Sequence, residues 1–341
     1  MGYFVAGGAV VASQQFGATQ TDLFSVDQNG QLNVSWGMGE RGWQAAASIG
    51  PATQVTPGGF LAASQQLGAN QTDVFVVDNN GQLNLFWTDG QGAWNGPEKI
   101  GPAGIAQAGT FLAASHQCGA TQTDVFLVDK DGQLNVFWVT SDRAWNGPRK
   151  ICVAGTARPG SFIAASRQFG ADQTDVFLVD KEGQLNVFRV TGERASSGPE
   201  QIGPIGIAAP GSFLAASHQF GADRTGVFLV DQNGQLNVVW VTGEGAWKGP
   251  ERIGPSGIAS PGSFLAASRQ FGANQTNVFL VDNKGQLNVF SVLGKGSWTG
   301  PEKIGPADNA EPGSFITASQ QIGAHQTDVF LIDKNGQLSV F

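Results

Sequence analysis

The sequence predicts an all-β protein, a seven-bladed β-propeller of four-stranded antiparallel blades, and three observations carry that expectation. A repeat recurs at constant spacing, each repeat holds four strand-like segments, and its central strand is apolar on both faces. The glycine of an FGA-like triplet stands at Gly17, Gly68, Gly119, Gly170, Gly221, Gly272 and Gly323, a period of 51 without insertion or deletion. A period near 50 with strands in every unit indicates a propeller blade, whereas helical repeats of similar length would show a 3.6-residue apolar period, which is absent.

The elements of one unit read clearly from residue 162 onward: FIAAS, then TDVFLVD, then GQLNVFRV, then a short segment around GPEQI. DKEG separates the second and third segments, with DQNG, DNNG or DKDG in other units, and this is hairpin-turn chemistry. In TDVFLVD, Val and Leu point to one side and Phe and Val to the other, as expected for a sheet sandwiched between neighbouring sheets. The 341 residues form one domain in this reading. Its last blade is shared between residues 1–15 and 322–341, so that the N-terminal AVVAS closes the ring by joining the C-terminal blade and covering its edge. No sequence remains for a fourth strand of the seventh blade, which is left with three strands or borrows an edge from another subunit.

Composition bounds the function. Only 13% of residues are charged and the net charge is -8, with no Lys/Arg block, so nucleic acid and anionic membrane surfaces are not the expected partners. No apolar run reaches the 18 or so residues of a membrane span, and AGGAVVASQQ aligns without a gap to PGGFLAASQQ, so the N-terminus reads as a strand of the fold and not a signal peptide. That leaves the location open between the cytoplasm and release by a non-classical route. Cys118 and Cys152 fall at opposite ends of one blade and are expected as buried free thiols.

Alternating strand direction puts the DxxG turns and interblade links on one face, and the FGAxQT loops and third-to-fourth turns on the other. On that second face the third strand ends with Trp36, Trp87, Trp138, Arg189, Trp240 or Ser291, and the fourth begins with Trp43, Trp94, Trp145, Ser196, Trp247 or Trp298. The first strand ends there with Gln14, Gln65, His116, Arg167, His218, Arg269 or Gln320. Asp129, Gly132 and Gln133, repeated in all seven units, are read as fold: the Asp caps the turn and the Gly supplies positive φ. DKDG lacks the acidic positions and terminal Glu of a calcium loop, so no metal and no cofactor are expected. The tryptophans and the Gln/His/Arg position vary while the framework holds still. An exposed indole beside such polar groups suits a sugar, with C–H groups on the ring and hydroxyls on the polar side chains.

A strand such as TDVFLVDKDGQLNVFWV, then W-x-GP-E-K-I-G-P, then PGSFLAAS, resembles the repeat of the seven-bladed propeller lectins typified by the Photorhabdus lectin, over the whole chain. The resemblance implies a multivalent lectin that binds fucose or a related monosaccharide, O-methylated forms included, in clefts between blades. Its partners would be glycans or glycoconjugates bearing such sugars, and its oligomeric state is left open. From the repeat itself, four units with both tryptophans are expected to form competent sites: Trp36/Trp43, Trp87/Trp94, Trp138/Trp145 and Trp240/Trp247. Gln65, His116, Arg167 and Arg269 would supply polar contacts, Trp298 would stand beside Ser291, and the Arg189/Ser196 site would be weak or empty. An enzyme would concentrate its chemistry in one place, yet nearly every polar residue recurs at the repeat period, and Ser-His-Asp, HExxH and CxxC motifs are missing. A non-catalytic scaffold for protein partners is the alternative reading.

Overall fold

The computed structural model describes residues 4–15, 20–38, 42–66, 70–90, 93–116, 122–140, 144–168, 173–191, 195–219, 222–270, 273–321 and 326–341. Their strands form seven antiparallel sheets, six of four strands and one of three. The blades span residues 10–48, 61–99, 112–150, 163–201, 214–253, 266–304 and 316–340. Strands follow one another in sequence order across each blade. First strands of successive blades are neighbours in an unbroken cycle that returns from Ile316–Gln321 to Val10–Gln14.

The second strand of blade three, Gln122–Val128, is buried along its whole length, as the two-sided apolar pattern requires. Its Val125 and Leu127 pack toward blade two, while Phe126 and Val128 pack toward blade four. The turn that follows is built by Asp129, whose Oδ1 accepts hydrogen bonds from the Asp131 and Gln133 amides, both at 2.9 Å, while Oδ2 accepts from Asn135 Nδ2 at 2.8 Å. Gly132 sits at φ +71°, and a Cβ there would lie 2.2 Å from the Ala157 carbonyl oxygen of the interblade link. The hairpin and the link therefore dock backbone to backbone.

Ring closure differs from the expected strand exchange. Val10–Gln14 pairs with Thr21–Val26 of its own blade, and blade seven has its own first strand. The physical reason is locality: a short connection brings these two strands together at a lower loop-closure cost than a partner some 320 positions away. The residues before the strand do the closing instead. Phe4 N donates to Gly336 O and Gly7 N to Ile332 O, both at 3.2 Å, much as Gly58 N donates to Val26 O at 3.3 Å between blades one and two. The N-terminal segment thus takes the place of an interblade link. Blade seven has three strands, Ile316–Gln321, Gln326–Ile332 and Leu338–Val340, as expected.

One end of the axis is filled with aromatic rings. Phe60 stacks on Phe111 and Phe213 on Phe264, each pair with centroids 3.5 Å apart, while Phe162 and Phe315 pack edge-on against them. The equivalent position in the first repeat is the buried Ala9. Among the described residues no helix is long and apolar enough to cross a membrane. Cys118 lies outside the described residues; Cys152 is a free thiol, half-buried and not fully enclosed, whose Sγ accepts a hydrogen bond from Leu134 N at 3.1 Å.

Replacing Gly132 with Ala should cost about 1–3 kcal/mol, because both the positive φ and the close carbonyl oppose a side chain. A fall in the thermal midpoint checks this, and an unchanged midpoint would mean that the hairpin can move off the link.

Candidate functional site

Each fourth-strand tryptophan reaches out of its own blade. Trp94 meets Phe24 of blade one edge-on at 5.3 Å, Trp145 meets Phe75 of blade two at 5.4 Å, and Trp247 meets Phe177 of blade four at 5.5 Å. Trp298 packs in the same way on Phe228 of blade five, and Trp43 on Phe330 of blade seven. The third-strand tryptophans instead lie over the seam toward the following blade. Trp36 and Trp94 therefore share one apolar cluster, Trp87 and Trp145 another, and Trp240 and Trp298 a third.

This corrects the expected pairing. Trp36/Trp43, Trp87/Trp94, Trp138/Trp145 and Trp240/Trp247 are in the same blades, but the structure does not bring them together across one cleft. Third and fourth strands lie side by side in one sheet, and their indoles pack toward opposite neighbours. Three clefts thus have two tryptophans, not four. Trp138 is the one tryptophan of its cluster, and the following blade carries Ser196 at the repeat position of Trp94 and Trp145. Arg189 lines the cleft bordered by Glu244, Gly245 and Ala246, next to Trp247, so the two gaps of blade four fall in different clefts. The cleft of blades six and seven contains Ser291 and Phe341 and no tryptophan in its lining.

The cleft of blades one and two, about 610 Å³, shows the construction. Trp36, Trp94, Val34 and Ile49 give it apolar walls, and Gln15, Gln20, Asp22 and Ser48 give it a polar side. Asp22 stands directly across the strand pair from Trp36, as Asp73 does from Trp87 and Asp124 from Trp138. A glutamine two residues earlier holds each carboxylate through Oδ1: Gln20 to Asp22 at 2.7 Å, Gln71 to Asp73 at 2.6 Å, Gln122 to Asp124 at 2.6 Å and Gln173 to Asp175 at 2.7 Å. The Oδ2 atoms of these four residues and of Asp328 are buried and accept no hydrogen bond from the described residues.

Burial dominates the titration of these groups. It pushes Asp22, Asp124 and Asp175 up to about 6 against the opposing pull of their glutamines, with Arg149 and Arg189 also resisting the rise at Asp124 and Asp175. Asp73 rises to about 7, where Glu98 adds to the effect of burial, and Asp328 is raised by the same cause. Asp175 also faces Glu200, which is ion-paired to Arg189 in a cleft of about 420 Å³.

The structure places the ends of the first strands elsewhere. Gln14, Gln65, Arg269 and Gln320 line the mouth of the central channel, about 550 Å³, and do not line the cleft of Trp36 and Trp94. Gln65 Nε2 donates to Gln14 O at 2.9 Å, Gln320 Nε2 to Arg269 O at 3.2 Å, and a His218 ring nitrogen lies 2.5 Å from Arg167 O, so this ring joins blade to blade. Arg167 is exposed, and the His116 side chain lies outside the described residues. The reason is the two-residue period of a strand: when residue 65 faces the channel, Gln66 turns toward the cleft, where it accepts from Gln71 Nε2 at 3.3 Å.

The residues that sequence reasoning missed are therefore this following glutamine and the Gln-x-Asp pair. Their signal was present. An acidic residue repeated inside a strand that is otherwise apolar on both faces is costly unless it has a task, and Gly226 and Asn277 are its only replacements.

No protein-family profile matches the sequence, and no curated protein matches it. Solved structures do. The chain is similar to the BP39L lectin from Burkholderia pseudomallei, with 46% identity, a TM-score of 0.95, and coverage of 99% of this chain and 95% of that one. At lower identity it is similar in fold to the fucose-specific lectin from Aleuria aurantia, at 22% identity and a TM-score of 0.57 over 84% of this chain and 92% of that one. AofleA from Arthrobotrys oligospora is similar at 15% identity and a TM-score of 0.57 over 83% and 82%.

The folded carboxyl of Asp73 binds its proton more tightly than the ordinary value of 3.8 allows, so its contribution destabilises the fold increasingly as pH rises from about 4 to about 7. Asp73→Asn should raise stability at pH 8 by roughly 1–3 kcal/mol and change it little at pH 4. Blade six already carries Asn277 at this position, with its Oδ1 accepting from Gln275 and Ser291, both at 2.8 Å. Denaturant unfolding at the two pH values checks the expectation, and equal shifts at both would contradict it.

Proposed function

The chain belongs to the family of seven-bladed β-propeller lectins that includes BP39L, and from that premise we propose that it is a multivalent, non-catalytic carbohydrate-binding protein. Its ligand in this reading is fucose or a related monosaccharide, held in the clefts between blades. The observation that carries the proposal is the cleft of Trp36 and Trp94. Two indoles from different blades face a wall of Gln15, Gln20 and Asp22, and the arrangement recurs with Trp87, Trp145, Gln66, Gln71 and Asp73.

A 6-deoxyhexose suits such a cleft. Its methyl group and C–H face are apolar and fit against indole, while its hydroxyls form one polar edge for carboxamide and carboxylate partners. The Trp36/Trp94 and Trp87/Trp145 clefts are the principal sites. Those containing Trp138 or Trp247 have one indole each, and the cleft lined by Ser291 is the weakest. Several modest sites on one rigid ring give avidity for clustered glycans without tight binding at any one of them. Repetition also supports a non-catalytic role, because the same Gln-x-Asp group recurs in five of the seven repeats, ending at Asp22, Asp73, Asp124, Asp175 and Asp328.

Trp36→Ala should lower the affinity of that cleft for methyl α-L-fucoside by roughly tenfold or more, given the ~1–2 kcal/mol an indole contributes to such contacts. Calorimetric titration checks this, with one site lost and the fold intact by circular dichroism. Fucoside binding undiminished in both Trp36→Ala and Trp87→Ala would remove the sugar from these clefts, and a glycan array silent to every sugar would overturn the lectin reading.

A further inference from the structure

The cleft of blades five and six keeps both tryptophans, Trp240 and Trp298, yet the residues around them differ in charge from the other clefts. Arg224 stands where the other repeats have glutamine, and Gly226 stands where they have Asp or Asn. The two changes occur together in one strand, Arg224–Val230, so the cleft loses its buried carboxylate and its carboxamide and gains a guanidinium. That guanidinium is half-buried over the Trp240 ring, 3.8 Å from the ring centre. Stacking fixes its plane and leaves its N–H donors at the edge.

Two more cations converge on the same place. Lys248 is paired across the strands with Trp240 and lies 5.1 Å from its ring; the equivalent residues are Gln44, Asn95, Asn146, Ser197 and Thr299. Lys295 occupies the repeat position at which Glu244 lines the preceding cleft. Its loop is held against blade five by Gln219 Nε2, which donates to Gly294 O at 2.9 Å. The carboxylate that remains is Glu251, opposite Val238 in the strand pairing. Arg224 and Lys248 thus stand at Trp240, and Lys295 and Glu251 hold the repeat positions of cleft-lining Glu244 and Glu200, whereas the counterpart cleft of blades two and three has Asp73 and Glu98 and Gln71 in place of Arg224. Among the described residues Arg224 forms no ion pair, so its charge is available to a ligand.

We propose that the cleft of blades five and six binds an anionic saccharide, one carrying a carboxylate or a sulfate ester, and that it is a site of different specificity from the fucose clefts. The inference rests on the lectin reading and extends it to a second ligand class. A carboxylate or a sulfate ester accepts two parallel hydrogen bonds from the guanidinium edge through a pair of its oxygens, and the lysines add attraction. The guanidinium covers one face of Trp240, so a neutral sugar loses stacking there that it keeps at Trp36 and Trp87.

The test uses the full chain with three probes: methyl β-D-glucuronide, galactose 6-sulfate and methyl α-L-fucoside. Crystals soaked with either anionic sugar should show it beside Arg224. In solution at least one of the two should bind about tenfold more tightly than its uncharged counterpart, methyl glucoside or galactose, and more weakly as salt is raised. A response to glucuronide alone or to sulfate alone identifies the anion. Arg224→Gln and Lys295→Glu each restore a residue type that other repeats carry, and each should lower the anionic affinity about tenfold while leaving fucoside binding unchanged. If the fucoside binds but neither anionic sugar exceeds its neutral counterpart, or if neither substitution weakens the anion, this inference is overturned and the lectin reading stands. Silence toward all three probes overturns both.

Discussion

Adjacent blades meet through side chains that leave both faces of the central strands without water, and this sheet-on-sheet contact is the constraint on which everything else rests. Phe126 is fully buried against one neighbour while Val125, the preceding residue of the same strand, is fully buried against the other. Each such phenylalanine or aliphatic chain contributes about 1.5–3 kcal/mol when removed from water, so no blade can be stable alone and all seven hold one another. The seam opens to solvent where the third strand ends, and there the indoles continue the contact from both sides. The clefts are places where the apolar seam runs out.

The polar residues at those seams bear a cost that the fold does not require. Asp22, Asp73 and Asp124 are held beside indoles, each with one carboxylate oxygen that accepts no hydrogen bond from the described residues, in surroundings that push their titration toward neutrality. The same backbone accepts Asn277 and Gly226, so the carboxylate is not needed to build a blade. A group that disfavours folding and can be replaced without changing the architecture is not explained by the fold alone.

Most of the fold was legible in the sequence, because a fixed period, a DxxG turn and a strand apolar on both faces each have a single structural meaning. The three strands of the seventh blade could be counted from the chain. The closure could not, because AVVAS matches every first strand equally well; locality, not similarity, decides its partner. The site was half legible for a related reason. Repetition marked Trp36 and Trp94 as variable surface positions, but a repeat is a unit of sequence and a cleft is a unit of contact between two repeats. Strand alternation had a similar effect at residues 65 and 66, where a difference of one position separates the channel from the cleft. Asp73 was passed over as part of a buried strand, although burial was what should have drawn notice.

Because each cleft takes one wall from each of two blades, inheritance of the sites does not follow inheritance of the repeats. Blade four carries two departures, Arg189 and Ser196, and they alter two separate clefts, each of which keeps an indole from the other side. Exchange of a whole blade between such chains would change a pair of neighbouring specificities at once, whereas drift at a single codon changes one. Seven near-identical units thereby generate clefts that diverge independently: the ring diversifies combinatorially, by adjacency, while its architecture stays fixed.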